Sequence, residues 1–319
     1  MDSALVYFLL TAAAYPFMGI YNAGAALFRA MGNSKVSMIN SFIINVINIL
    51  VNAILIFGFG MGAAGAGIGT LVSRIAAAVI IMVMLRHPGL TVQVDDIFHF
   101  EFNGSMIRRI LFIGIPTGME NGMFQAGKLM VLNGAGKTTL IRIINLITTF
   151  GTSAVAANAI ANSISGVINV PGSAMGLAII TVIGRCIGAG DTHQAVHYTK
   201  LLVGCSYLSM LIMGSALFFS ADFLVTLFNL SPEAMAMASQ VLKFCAIANM
   251  LFWPMAFTLP NSLRAAGDAV FTMMVSLTTM FVCRVALSYV FACSWGFGLG
   301  LPGVWLAMFC DWIVRAVCF

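Results

Sequence analysis

The chain has 319 residues, of which 61% are hydrophobic and only 8% charged, and its mean hydropathy is +1.02. Soluble domains carry roughly a quarter charged residues, so this composition excludes an ordinary water-soluble fold. The net charge of +5 is spread along the chain and forms no basic patch of the kind that binds nucleic acid. Stretches such as 39–58 and 201–220 are apolar on every face, which favours spanning helices over barrel strands.

We therefore predict an all-α, multi-pass protein of the inner or plasma membrane. The fifth predicted span is longer than a bilayer requires and contains Pro171, so we expect a kink there. The seventh contains Pro254 and Pro260 and is expected to be bent or interrupted. The nine predicted spans are 4–27, 37–58, 61–85, 109–132, 152–187, 200–220, 235–262, 270–294 and 301–319.

Basic residues test this count, because loops rich in Lys and Arg stay in the cytoplasm. Lys and Arg follow the odd-numbered predicted spans, and the loops after the second, sixth and eighth spans contain none. This alternation places the odd-numbered loops in the cytoplasm and the N-terminus outside. Arg29 and Arg264 are expected to anchor cytoplasmic ends of helices.

Two pairs of segments resemble each other at nearly the same spacing. Residues 27–33 are similar to 262–268, and the glycine-rich stretch 58–65 is similar to 296–303. Transporters are often built from repeated halves with the substrate path between them. The repeat predicts a first unit at 1–107 and a six-span bundle at 108–319. It also predicts about three further spans ahead of Met1, which would make this chain a fragment.

With the repeat in place, the sequence resembles the multidrug and toxin extrusion (MATE) family. The resemblance rests on 21–38 (YNAGAALFRAMGNSKVSM), 114–129 (GIPTGMENGMFQAGKL), 150–191 and 259–268 (LPNSLRAAGD). It implies two six-helix bundles around a central cavity and a monomer in the lipid bilayer. It also implies export of organic, often cationic, compounds in exchange for Na⁺ or H⁺, with no other cofactor. The region around Trp253 lacks an acidic residue that some members carry.

Residues 133–145 (NGAGKTTLIRIIN) resemble a nucleotide-binding loop, with Gly136, Lys137 and Thr138 at the last positions of the motif. The first glycine of the motif is replaced by Val131, and no strand–helix pattern surrounds the loop. We therefore reject these residues as a nucleotide site. Removing 134–145 would restore one apolar helix, so we interpret that segment as an insertion.

Five polar residues are candidates for ion coupling or for the wall of the transport cavity. Glu120 is predicted to lie near the bilayer midplane, where a carboxylate commonly carries ions or protons. The alternative is a structural hydrogen bond or a pair with Lys128. Asn121 and Gln125 extend a polar lining in the same span. Asn158 and Asn162 share one helical face, and either cation coordination or interhelical hydrogen bonding fits that spacing.

Other polar residues in the spans have plainer interpretations. Asp311 and Arg315 are expected to form a structural i, i+4 pair, and Arg284 is expected to do likewise or to extend towards the membrane surface. The cysteines and histidines show no metal-ligand spacing that favours a metal site.

The alternatives to an exporter are a lipid-linked precursor flippase of the same superfamily, an ATP-binding transport component, or an inactive fragment. The flippase is expected to have a larger basic cavity, and the ATP-binding component requires nucleotide binding.

Overall fold

A computed structural model describes residues 2–92, 102–132, 146–228, 230–293 and 296–319, without the side chains of 2–4, 128–132 and 148–149. These residues form α-helices and short helical turns, and the described part contains no strand. The chain divides into two compact units, Met1–Phe102 and Asn103–Phe319. The sequence placed the boundary between its two predicted units a few residues later, after 107.

The first unit consists of three helices. Helix α1 (Asp2–Ala30) and helix α2 (Ser34–Ala53, extended by a π-helical turn over Ile54–Gly58) both pack against α3 (Gly62–Leu85). Phe28 and Ile81 are fully buried where α1 meets α3. Gly24 permits this approach, because a methyl group at that position would overlap Ile81. Small residues thus let the helix backbones pack closely, as is usual between spanning helices.

The second unit is larger and contains the remaining helices. They are α4 (Gly104–Leu132), α5 (Thr152–Ile168), α6 (Val170–Gly188), α7 (Thr192–Thr226), α8 (Pro232–Leu251), α9 (Pro260–Ala265), α10 (Ala269–Thr279), α11 (Leu287–Ala292) and α12 (Leu301–Cys318). A 3₁₀ turn over Ile147–Phe150 precedes α5, and π-helical turns cover Pro254–Thr258 and Met280–Ala286.

Eight helices in the described residues are long and apolar enough to cross a membrane. They correspond to eight of the nine predicted spans, and the exception is the fourth, which the structure shows as α4. Helix α4 is 29 residues long, but it carries Arg108, Arg109, Glu120 and Lys128. Glu120, Asn121 and Gln125 lower the mean hydropathy of its otherwise apolar middle, so this predicted span is not among the eight.

Large apolar side chains are exposed on both units. Phe57 is 87% exposed and Phe219 is 85% exposed. Many leucines and isoleucines are exposed as well, to a smaller extent. Soluble monomers rarely leave contiguous apolar surface of this extent in water. The outer faces of the helices are therefore suited to contact with lipid.

The long predicted fifth span is divided in two, as its proline suggested. Helix α5 ends at Ile168 and α6 begins at Val170, with Asn169 between them. Pro171 has no N–H to donate to the preceding turn, and its ring crowds the carbonyl four residues earlier. The seventh span is likewise interrupted, because α8 ends at Leu251 and a π-helical turn begins at Pro254.

The eighth span contains an interruption that the sequence did not reveal. A seven-residue π-helical turn at Met280–Ala286 separates α10 from α11. No proline lies within it, so no residue marks the change in helical pitch. π-Helical turns inside helices are uncommon and frequently occur at functional sites.

The two copies of the glycine repeat adopt matching backbone conformations. Gly60 and Gly62 have φ angles of 66° and 52°, and Gly298 and Gly300 have angles of 64° and 60°. Only glycine adopts such angles without strain. Turn geometry therefore explains the glycine spacing at 60–65, which superficially matches a dinucleotide-binding motif, and the shared conformation supports an internal duplication.

Candidate functional site

A cavity of about 310 Å³ lies within the second unit, beside both of its π-helical turns. This volume lies at the lower end of the range for small-molecule sites, roughly 300–1,000 Å³. The described lining residues are Phe124, Asn162, Ser165, Gly166, Asn169, Ser173, Cys245, Trp253, Phe257, Arg284, Trp305, Met308 and Trp312.

Aromatic rings form much of the cavity wall. Trp253 and Phe257, four residues apart, have ring centroids 5.3 Å from each other, and Phe257 meets the Trp312 ring edge-on at 5.6 Å. Helix α12 contributes Trp305, Met308 and Trp312 from one helical face. Aromatic rings of this kind offer flat, rigid surfaces that suit organic ring systems.

Arg284 is the charged residue among the described residues of the lining. Its Nη2 donates to the sulfur of Met308 at 3.1 Å, and its guanidinium lies 4.9 Å from the centre of the Phe124 ring. In the described part of the chain, no carboxylate lies within ion-pairing distance of Arg284. The π-helical turn places this arginine on the cavity instead of extending it towards the membrane surface.

Two other polar atoms of the lining are buried without a hydrogen-bond partner among the described residues. They are Nε1 of Trp312 and Oδ1 of Asn169. The indole of Trp305, by contrast, donates to Oδ1 of Asn158 at 3.1 Å. A buried donor without an acceptor costs about 1–3 kcal/mol, so a bound molecule that supplies an acceptor would recover that energy.

Asp311 and Arg315 form the expected ion pair on α12. Arg315 Nε donates to Asp311 Oδ1 at 2.9 Å, and both side chains are almost fully buried. The other end of Arg315 donates to the hydroxyl and the carbonyl of Ser276 on α10. This pair therefore joins two helices, which confirms the structural interpretation.

Glu120 has a partner that lies far away in the sequence. Nη2 of Arg264, in the last turn of α9, donates to both carboxylate oxygens of Glu120 at 2.7 Å. The side chain of Glu120 is 12% exposed and that of Arg264 is 18% exposed, so water screens the pair only in part. The sequence had placed Glu120 near the midplane and Arg264 at a cytoplasmic helix end. The sequence did not predict that these two side chains, whose charged atoms lie 2.7 Å apart, form an ion pair.

Hydrogen bonds connect this ion pair to the cavity. Arg264 Nη1 donates to Oδ1 of Asn261, whose amide donates in turn to the backbone carbonyl of Phe257, a lining residue. On α4, Phe124 lies one helical turn beyond Glu120 and also lines the cavity. Two short routes therefore lead from the Glu120–Arg264 pair to the cavity wall.

The other predicted residues are placed in different surroundings. Asn121 is exposed and donates to the carbonyl of Thr117, and Gln125 is also exposed. Asn158 is buried, and its Oδ1 accepts hydrogen bonds from both Trp305 and Asn162. Asn162 lines the cavity. The structure thus shows the interhelical hydrogen bond that was the alternative to cation coordination at Asn158.

Several residues that the sequence singled out lie outside the described part of the chain. They are Gly136, Lys137, Thr138, the proposed insertion 134–145 and the side chain of Lys128. Within the described residues, no cluster of three His, Cys, Asp or Glu side chains could hold a metal ion.

Neither the pairing of Arg264 with Glu120 nor most of the cavity wall was predicted from the sequence. Arg264 was assigned to a helix end because periodicity describes only local neighbours. Three of the four tryptophans line the cavity. The spacing of Trp305, Met308 and Trp312 on one helical face could have indicated part of that wall.

Comparisons with known proteins agree with this architecture. The MatE family model matches residues 140–290. "Probable multidrug resistance protein NorM" of Thermotoga maritima is 25% identical over 303 residues, which cover 92% of this chain and 60% of that protein. The chain is therefore similar to the MATE family. "Uncharacterized transporter YisQ" of Bacillus subtilis is 28% identical, with 92% of this chain and 62% of that protein covered.

Solved MATE structures share the fold of this chain. The outward-facing structure of a multidrug resistance MATE family transporter superimposes with a TM-score of 0.86 at 20% identity, over 98% of this chain and 67% of that one. Members of the family are multi-pass membrane proteins that transport and do not act as enzymes, and the eight apolar helices fit that class. The chain spans about three fifths of the length of the curated relatives it matches first.

Proposed function

We propose that this chain forms part of an exporter of drug-like organic compounds that is driven by protons. The cavity in the second unit carries the proposal. It has the size of a small-molecule site, its walls are aromatic, and its few polar groups converge on one space. Relatives named as multidrug resistance proteins add support.

The interrupted helices beside the cavity are a feature of transport sites. Transporter sites are commonly built where spanning helices are broken, because the local backbone can rearrange there. Phe257 lies in the π-helical turn Pro254–Thr258, and Arg284 lies in Met280–Ala286. Both turns thus bring cavity residues to the points where the helices depart from regular geometry.

Coupling is assigned to the Glu120–Arg264 pair. A proton bound to Glu120 removes the negative charge that holds Arg264, so the two helices α4 and α9 lose their direct electrostatic link. A sodium ion would instead have to displace a guanidinium nitrogen that contacts both carboxylate oxygens. This geometry favours H⁺ over Na⁺ as the coupling ion.

The effect of protonating Glu120 would reach the cavity through the hydrogen bonds of Arg264 and Asn261. Release of Arg264 frees Asn261, whose amide holds the carbonyl of Phe257. Glu120 and the lining residue Phe124 both lie on α4, so a movement of this helix would shift both side chains together. Substrate binding at the wall would in return alter the environment of Glu120, as reciprocal coupling between sites requires.

Efflux from a pump-deficient bacterium tests this function. Cells that express the chain are loaded with fluorescent organic compounds of either charge, and the rate of dye loss is compared with that of empty cells. We expect faster loss of at least one class, abolished by collapse of the proton gradient. No acceleration for any compound, with the chain present in the membrane, would identify it as inactive and refute the proposal.

The competing functions give different results in the same cells. An ATP-binding transport component would lose efflux on Lys137→Ala and would not respond to collapse of the proton gradient. We expect Lys137→Ala to retain efflux and collapse of the proton gradient to abolish it. A lipid-linked precursor flippase would accelerate no dye, and its larger basic cavity is not matched by the single charged side chain, Arg284, in the described lining.

A further inference from the structure

We propose that the cavity binds organic anions, in particular molecules that carry a carboxylate on an aromatic or otherwise apolar body. This inference deepens the proposed function, because it names the substrate class of the same cavity. It departs from the cationic compounds that the family resemblance implies.

The charges around the cavity favour an anion. The guanidinium groups of Arg284 and Arg315 lie 4.9 Å and 5.8 Å from the centre of the Phe124 ring. Asp311 is the acidic residue of this cluster, and Arg315 occupies one of its oxygens at 2.9 Å. Two positive groups thus face one negative group. The described lining itself contains no Asp or Glu that could attract a cation.

Among the described residues, Arg284 has no carboxylate within ion-pairing distance, and the nearby Asp311 is paired with Arg315. Charged side chains in spanning segments pair with one another or mark the path of a substrate. Arg284 donates to a thioether sulfur, which is a weak acceptor, and no described carboxylate pairs with it. A carboxylate brought by a ligand would supply a counterion and would form a charge-assisted hydrogen bond.

A second donor on the cavity is also unused. Trp312 is 4% exposed and lines the cavity, and its Nε1 has no acceptor among the described residues. The Trp305 indole is already bonded to Asn158 and does not compete for a ligand. Arg284 and Trp312 therefore provide two donors to one cavity, which suits an acceptor group with two oxygens.

The walls define the rest of the molecule. Trp253, Phe257 and Phe124 present rings that pack against a flat, apolar body. An acidic group on such a body could come from a free aromatic carboxylate or from the pyrophosphate head of a lipid-linked precursor. The volume of about 310 Å³ favours the smaller carboxylate.

Three probes with the same ring system and different charge test the inference. They are anthracene-9-carboxylate, its neutral carboxamide, and an anthracenylmethyl trimethylammonium cation. Binding to the purified full chain is followed by quenching of tryptophan emission, which three lining tryptophans should report. Geranyl pyrophosphate is added as a competitor to represent the lipid-linked source.

We expect the carboxylate to bind at least about tenfold more tightly than the cation, because charge-assisted hydrogen bonds contribute more than neutral ones. Arg284→Gln should remove this preference and lower the affinity for the neutral carboxamide much less than that for the carboxylate. Arg284→Lys should retain part of it. Arg185→Gln, at an exposed arginine on α6, is the matched control and should change nothing.

Several outcomes would overturn the inference. They are tighter binding of the cation by the unmodified chain, full carboxylate affinity in Arg284→Gln, or binding of geranyl pyrophosphate without binding of the carboxylate. The comparison of probes on the unmodified chain needs no variant, so a misfolded variant cannot hide the result. Binding is measured without an ion gradient. A chain that binds the carboxylate but exports nothing would refute the proposed transport and leave this inference intact.

Discussion

Nη2 of Arg264 donates to both carboxylate oxygens of Glu120 at 2.7 Å, across 144 positions of sequence. This contact ties α4 to α9, and on α4 Glu120 lies one helical turn from the cavity residue Phe124. The proposed proton coupling depends on this contact. The strength of the contact can be measured from the stability of the chain alone.

Removal of either partner of this pair should destabilise the fold, because the other is then left partly buried with an unpaired charge or donor. We expect Glu120→Gln and Arg264→Gln each to cost about 1.5–3 kcal/mol of unfolding free energy. The double variant should cost less than the sum of the two. Denaturant unfolding in detergent measures all three, and strict additivity would show that the pair contributes no coupling energy.

An alanine substitution at Asn158 distinguishes a hydrogen-bonding role of this side chain from cation coordination. Asn158→Ala should leave the Trp305 Nε1 without its acceptor and should cost about 1–3 kcal/mol. That loss should be the same with and without Na⁺, since Oδ1 of Asn158 is already occupied by two donors. Thermal unfolding in sodium and in choline buffers measures it. Stabilisation by Na⁺ that disappears in Asn158→Ala would support a cation site instead.

Gly172 controls the position of one cavity wall. A methyl group at this position would overlap the Trp253 indole and the end of Met210. We expect Gly172→Ala to cost about 1–3 kcal/mol and to reduce ligand quenching, because overpacking forces large side chains to shift. Gly184→Ala on the same helix has open space around it and is the matched control. Equal behaviour of the two variants would show that the cavity tolerates a displaced tryptophan.

The buried Asp311–Arg315 pair should be strongly structural. Asp311→Asn keeps the shape of the side chain but leaves the guanidinium of Arg315 without its counterion inside the protein. We expect a loss of about 3–5 kcal/mol in unfolding free energy, as is typical when one partner of a buried pair is removed. Yield and unfolding midpoint in detergent report the loss. A midpoint within error of the unmodified chain would mean that Ser276 alone suffices to hold Arg315.

Composition and proline placement predicted much of the helical architecture. The apolar stretches specify spanning helices on composition alone, and Pro171 and Pro254 mark two interruptions because proline lacks a backbone donor. The third interruption, at Met280–Ala286, has no such marker. It brings Arg284 to the cavity wall, a placement that no local sequence pattern encodes.

The candidate site was less accessible to sequence reasoning. Periodicity identifies partners three or four residues apart, so it found the Asp311–Arg315 pair. It could not find the partner of Glu120, because Arg264 belongs to a helix that only the tertiary fold brings close. The sequence therefore indicated which residues carry unusual charges but not which of them meet.

Transport driven by an imposed proton gradient shows whether Glu120 couples proton movement to export. Inside-out vesicles that contain the chain are given an acidic interior, and uptake of anthracene-9-carboxylate and of a cationic dye is followed with the unmodified chain and with Glu120→Gln. We expect gradient-dependent uptake of at least one compound by the unmodified chain and none by Glu120→Gln. Equal uptake by both chains, or uptake driven by a Na⁺ gradient at constant pH, would contradict it.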